Sequence, residues 1–133
     1  MKYSDDSIAR SLSSAPDYNA INMAAIKEMK RQVGDLVLAD DGMAVTGLII
    51  RHLVLPNRQS GTKEILSWIS ANLGQGTHVS LMSQYFPAYK AIGDVAIGKK
   101  ITRKEYDEAL SSLEQAGLEN GWVQDFEEGQ GLE

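Results

Sequence analysis

Cysteine is absent from the 133 residues. That excludes disulfides, thiolate zinc sites, thiol nucleophiles and cysteine-ligated iron-sulfur clusters on this chain. Histidine is scarce, with only two residues, His52 and His78, so a metal site would have to rest on carboxylates, and no spacing of acids points to one. No apolar run reaches the roughly 18 residues a membrane span needs, and no leader-like charged and apolar start is seen. A soluble, cytoplasmic protein with no membrane partner is expected. Clustered basic charge is also missing. The net charge is -5, from 13 basic and 18 acidic side chains, and the densest basic stretch, Lys99-Lys100 with Arg103-Lys104, is followed at once by acids. Nucleic acid is therefore not an expected partner.

What remains is the composition of a folded domain: 43% hydrophobic and 23% charged residues in a length suited to one core. The most informative stretch is Gly47-Leu48-Ile49-Ile50-Arg51-His52-Leu53-Val54-Leu55-Pro56. It is nearly continuous in apolar residues and rich in β-branched ones. Such a run reads as a strand buried on both faces, as in a parallel sheet covered by helices. An arginine in its middle is costly there unless its charge is met. Arg51 has either an internal acid as partner, such as Asp94 or Glu64, or a cleft and an anionic ligand.

The remaining elements follow from periodicity and punctuation. Ser4-Asp5-Asp6 starts a short helix over residues 5–12. A second helix over 17–33 carries Tyr18, Ile21, Ala25 and Met29 at helical spacing, with Ile26 and Val33 beside them, and ends at Gly34. Asp41-Gly42 between two short apolar runs predicts a β-hairpin over 36–45; with no bidentate glutamate at the required distance, the acids mark a turn and not a calcium loop. After the strand at 48–55, Thr62 is expected to cap a helix to residue 72, and 77–85 reads as the next strand. Residues 86–100 read as a loop. Thr102 and Glu105 form a capping box, with Ile101 and Tyr106 as its hydrophobic staple; Gly117 closes that helix, with Leu118 folding back on Leu113. A frayed tail is expected over 127–133.

Alternating strands and helices imply a parallel sheet. The expected fold class is α/β: a partial (β/α) barrel with two to three parallel strands, a β-hairpin insert and three to four helices. Too few strands are present for a closed barrel, and Lys2-Tyr3 reads as the stub of another strand. Residues 1–126 are thus expected to form the C-terminal part of a larger barrel.

Several stretches, in order and spacing, carry a family likeness: Lys2-Tyr3-Ser4-Asp5, Ala15-Pro16-Asp17-Tyr18, Arg31-Gln32-Val33-Gly34, Leu48 through Pro56, and Met82-Ser83-Gln84-Tyr85 with Pro87. Together they resemble the C-terminal half of radical S-adenosylmethionine proteins of the pyruvate formate-lyase activating enzyme type. The resemblance covers residues 2–118. It implies an oxidoreductase parent, a glycyl radical enzyme activase that uses S-adenosylmethionine and a [4Fe-4S] cluster. The cluster is held in that family by a Cys-x3-Cys-x2-Cys motif. This chain has no cysteine, so it is expected to lack both the cluster and catalytic residues and to be inactive alone.

What the resemblance leaves is one wall of the S-adenosylmethionine site. It places Arg51 at the carboxylate, Gln84 and Tyr85 at a strand end near the adenine, and Lys2 at the lysine of a family Asp-x-Lys whose aspartate would precede Met1. For Tyr85 a core or interface role stays equally open. His52, next to Arg51, faces the other side of the strand and reads as a hydrogen-bonded packing histidine. Trp68 and Trp122 read as packing groups. The other expectation is a non-enzymatic α/β interaction module that pairs with another chain. Either way a homo-oligomer, or association with a missing N-terminal half, is expected.

Overall fold

The computed structural model describes residues 1–126; the tail expected to fray lies outside them. The helices are α1 (Asp6–Ser13), α2 (Tyr18–Val33), α3 (Thr62–Leu73) and α4 (Arg103–Gln115), and the strands are β1 (Val37–Leu38), β2 (Ala44–Thr46), β3 (Ile49–Leu53), β4 (His78–Met82) and β5 (Gly121–Val123). The fold is mixed α/β. A two-stranded antiparallel hairpin, β1–β2, stands apart from a three-stranded parallel sheet in the order β3-β4-β5. Among the described residues the strands do not close on themselves.

Local signals explain most boundaries. Asp5 caps α1, its carboxylate accepting from the N–H groups of Ser7 (2.7 Å) and Ile8 (3.3 Å). The capping box of α4 is complete: Thr102 Oγ1 accepts from Glu105 N at 3.2 Å, and Glu105 Oε2 accepts from Thr102 N at 2.7 Å. Ile101 and Tyr106 are buried together beneath it with Val54, Leu81 and Ala109. Gly117 has φ 72°, and Leu118 N donates to Leu113 O at 3.3 Å, the expected closure of the helix. Thr62 does not cap α3. The cap is Gly61, at φ 63°, and the Thr62 hydroxyl is turned instead toward His52.

The sheet is fully buried on one face and largely open on the other, where Leu53 packs on the cluster of Tyr3, Ala9 and Leu55, which corrects the expectation of burial on both faces for β3. Partner residues of parallel strands point the same way, so the register sorts side chains into two sets. Ile50 and His52 of β3 align with Val79 and Leu81 of β4. Ile50 and Val79 pack against Ile26 of α2 and Ile65, Leu66 and Ile69 of α3, while Leu81 packs on α4. The other set is Ile49, Arg51 and Leu53 of β3, His78, Ser80 and Met82 of β4, and Trp122 of β5. Of these, Ile49, Arg51 and Trp122 are exposed.

Two further features frame the sheet. Met1 meets the free edge of β3, its N donating to Arg51 O at 3.0 Å and its carbonyl lying 2.9 Å from His52 Nδ1, but Lys2 and Tyr3 form no strand, so the expected stub of another strand is not found. At the opposite edge, β5 is a strand that periodicity did not predict. It begins at Gly121, φ 115°, where a Cβ would fall on the Val79 carbonyl oxygen. Only glycine lets the two backbones approach there.

Candidate functional site

Arg51 sits on the more open sheet face, in the middle of the edge strand β3. β3 places it there by alternation, because Ile50 and His52 on either side of it are turned into the helix layer. Its guanidinium Nη2 lies 3.3 Å from Met82 Sδ, a weak acceptor that leaves the charge unmet. Among the described residues no carboxylate lies within ion-pair distance of it. Asp94, one candidate partner, instead accepts from the backbone N–H groups of Ala96 (2.7 Å) and Ile97 (3.1 Å). Glu64 stands in the first turn of α3, in the layer behind the sheet. Of the two options for Arg51, the internal salt bridge is not formed.

His52 faces the other way and is fully buried. Its Nδ1–H donates to Met1 O, and its Nε2 accepts from the Thr62 hydroxyl at 2.9 Å. Thr62 Oγ1 is 3.2 Å from Ser60 Oγ, which accepts from Leu55 N. Burial lowers the imidazole pKa from 6.5 to about 4. This is a satisfied packing histidine, as its position next to Arg51 predicts.

The remaining predicted residues lie near the C-terminal ends of the strands, with different surroundings. Gln84 follows β4 and is exposed. Tyr85 is half-buried against the cluster of Tyr3, Ala9 and Leu55, and its hydroxyl donates to Ile97 O at 2.8 Å. Burial, then the nearby Asp94 charge, raises its pKa. Lys2 is exposed; its backbone N–H donates to Tyr18 Oη at 2.6 Å, and its ammonium lies 5.5 Å from the Tyr3 ring centroid. Lys2 follows Met1 along the β3 edge that carries Arg51.

The uncovered face also holds His78 and Trp122, neither of them expected to belong to a site, and Trp122 expected to be a packing group. Trp122 is 48% exposed, and its ring centroid lies 6.1 Å from that of His78. The Nδ1 of His78 is buried without a hydrogen-bond partner. The signal for His78, Ser80 and Met82 was available in the alternation of β4. Trp122 could be placed only once β5 was recognised. On the helix side a separate groove between α1, α3 and α4 is lined by Asp5, Ile8, Thr62, Lys104 and Glu108 among others; it mixes both signs of charge and does not include Arg51. No group of three or more histidines or acids suited to a metal ion occurs among the described residues. None of their helices is long and apolar enough to cross a membrane.

Comparison with known proteins gives one likeness. An uncharacterized protein of Methanocaldococcus jannaschii is 40% identical over 73 residues, which is 54% of this chain and 21% of the relative. The chain thus spans about a fifth of the length of the relative it matches. No family model and no solved structure matches.

Proposed function

We propose that this chain is the C-terminal part of a radical S-adenosylmethionine protein of the pyruvate formate-lyase activating enzyme type, contributing one wall of the S-adenosylmethionine site. The observation that carries the reading is Arg51, an exposed strand arginine on the face of a parallel sheet opposite α3 and α4, with no carboxylate partner among the described residues. A guanidinium so placed suits a ligand carboxylate, which it can grip through two charge-assisted bonds. A parallel sheet with helices mainly on one face is also what a piece of a (β/α) barrel would have, with its more open face turned inward. In this reading Lys2, Gln84 and Tyr85 rim the same wall. The chain does not fit a [4Fe-4S] cluster, since it offers no thiolate, so cluster chemistry would belong to another part of the protein and no catalytic residue is assigned.

The test is calorimetry with S-adenosylmethionine on the chain and on Arg51→Ala. With one wall only, desolvation and orientation of the ligand are poor, so binding near 1 mM, about -4 kcal/mol, is expected, and the substitution should abolish it. Tight binding that survives Arg51→Ala would remove Arg51 from the site.

A second reading, a non-enzymatic module that pairs with another chain, is favoured by exposed apolar surface elsewhere. Ile21, Met29 and Val33 on α2 are 68%, 45% and 44% exposed, and Val37, Leu38, Met43 and Val45 of the hairpin region are exposed too. Surface of this kind usually marks a contact site. The two readings are compatible if the partner is a second copy or the missing half of a longer protein.

A further inference from the structure

We infer that Trp122 and Arg51 are the two ends of one ligand strip across the uncovered sheet face, and that the strip takes an adenosyl amino acid, base on Trp122 and carboxylate on Arg51. This rests on the reading of Arg51 as ligand-facing, but it assigns the base to a residue on β5 and not to Tyr85.

The geometry follows from register. Arg51 pairs with Ser80, and Ser80 with Trp122, so the three side chains form a row on one face. Two inter-strand spacings separate the ends of the row, about 10 Å. An aromatic amino acid spans only about half of that between ring and carboxylate; a base joined through a ribose to a short tail spans it. Trp122 offers ring surface, being 48% exposed. Tyr85 does not: its ring packs against Tyr3, Ala9 and Leu55, and its hydroxyl is engaged by Ile97 O. Trp68 lies on α3 behind the sheet, with the Lys27 ammonium 5.8 Å from its ring centroid. Beside Trp122 the His78 ring, 6.1 Å away between centroids, backs the indole, and its Nδ1 is buried and takes no part in the strip. Charge narrows the tail. One guanidinium in a chain of net charge -5 suits a single carboxylate and disfavours a polyphosphate.

The experiment reads the Trp122 indole N–H signal by NMR in a Trp68→Phe background, with S-adenosylmethionine, S-adenosylhomocysteine, adenosine and ATP as probes, and repeats it in Arg51→Ala. We expect both adenosyl amino acids to move the signal. Arg51→Ala should weaken them at least about 5-fold, leaving the weaker adenosine response unchanged, and Trp122→Leu should cost at least about 5-fold by calorimetry. If S-adenosylmethionine binds in an Arg51-dependent way while the Trp122 signal stays still, the strip is wrong and the reading of Arg51 stands. If S-adenosylhomocysteine moves Trp122 in an Arg51-dependent way and S-adenosylmethionine does not, the strip holds and the S-adenosylmethionine reading fails. A signal that no probe moves, or one that only ATP moves, or one that moves independently of Arg51, overturns the inference.

Discussion

Acid should unfold this protein through His52 before its carboxylates matter. The imidazole is neutral and fully buried, donating through Nδ1 to the Met1 carbonyl and accepting through Nε2 from Thr62. A second proton would have to enter at Nε2. The Thr62 hydroxyl would then reverse, and Ser60, which already accepts from Leu55 N, would lose its place for the proton it donates to Thr62. The folded state therefore resists protonation, and the pKa falls from 6.5 to about 4. For a base with a lowered folded pKa, the unfolded chain binds more protons between those values. Its contribution is whole above pH 6.5 and is lost as pH falls toward about 4, amounting to about 3 kcal/mol. That is a large share of the stability of a small domain. Carboxylates with lowered pKa, such as Glu28, paired with Arg31 and Gln32 and down to about 2, act only below the ordinary carboxylate value of 4.5, whereas the Met1 ammonium, lowered from 8.0 by burial, acts in the same direction as His52 near neutrality, so His52 is read from the part of the slope that its replacement removes. Urea melts from pH 7.5 to 4.5 should show a slope approaching about 1.4 kcal/mol per pH unit, and His52→Gln should be less stable at pH 7.5 with the slope removed. An imidazole that titrates near 6.5 in the folded protein, or a slope between pH 6.5 and 4.5 that is unchanged in His52→Gln, would refute the argument.

Three other outcomes are expected. Thr102→Ala, which removes one half of the α4 capping box, should lower stability by about 1 kcal/mol in chemical melts. Gly121→Ala, which forces a Cβ onto the Val79 carbonyl at φ 115°, should cost on the order of 2 kcal/mol and speed amide exchange at Gln124, whose N–H bonds Leu81 O; unchanged exchange would show that β5 pairs without the close approach. Light scattering at micromolar concentration should report a dimer or larger assembly, and Ile21→Glu with Met29→Glu should convert it to monomer, because both side chains lie on the exposed side of α2; a monomeric parent chain would end the pairing reading.

Where the sequence carried local chemistry, it could be read closely. The capping box at Thr102, the Asp41-Gly42 turn and the side-chain reversal between Arg51 and His52 each depend on a few neighbouring residues, and each is found. What depended on distant residues could not be read. Thr62 has the residue type of a helix cap, yet its hydroxyl is claimed by a histidine ten positions earlier. Three residues beginning with glycine give no strand pattern, and β5 forms because Val79 and Leu81 present their backbone groups to residues 120 and 124. Without β5, Trp122 reads as a packing group, although its ring is 48% exposed and stands at the far end of the row that begins at Arg51.

The helix α2 is the sharpest case, because its helical period is found and yet its apolar stripe is turned away from the core. Tyr18, Ile21, Ala25 and Met29 mark an apolar stripe, and such a stripe ordinarily faces the core. Here the inward line is Tyr18, Asn22, Ile26 and Lys30, and Ile26 alone on the helix is fully buried. Ile21, Met29 and Val33 face out, and inside, Asn19 Oδ1 and Asn22 Nδ2 are buried without partners. Each unmet polar atom costs on the order of 1–3 kcal/mol, and each exposed apolar side chain forfeits its burial gain, roughly 1.5–3 kcal/mol. A helix that a chain must dock in this sense on its own is poorly matched to standing alone. Periodicity locates a stripe without saying what lies opposite it, and Ile21, Met29 and Val33 are where the proposed pairing with another chain is put to the test.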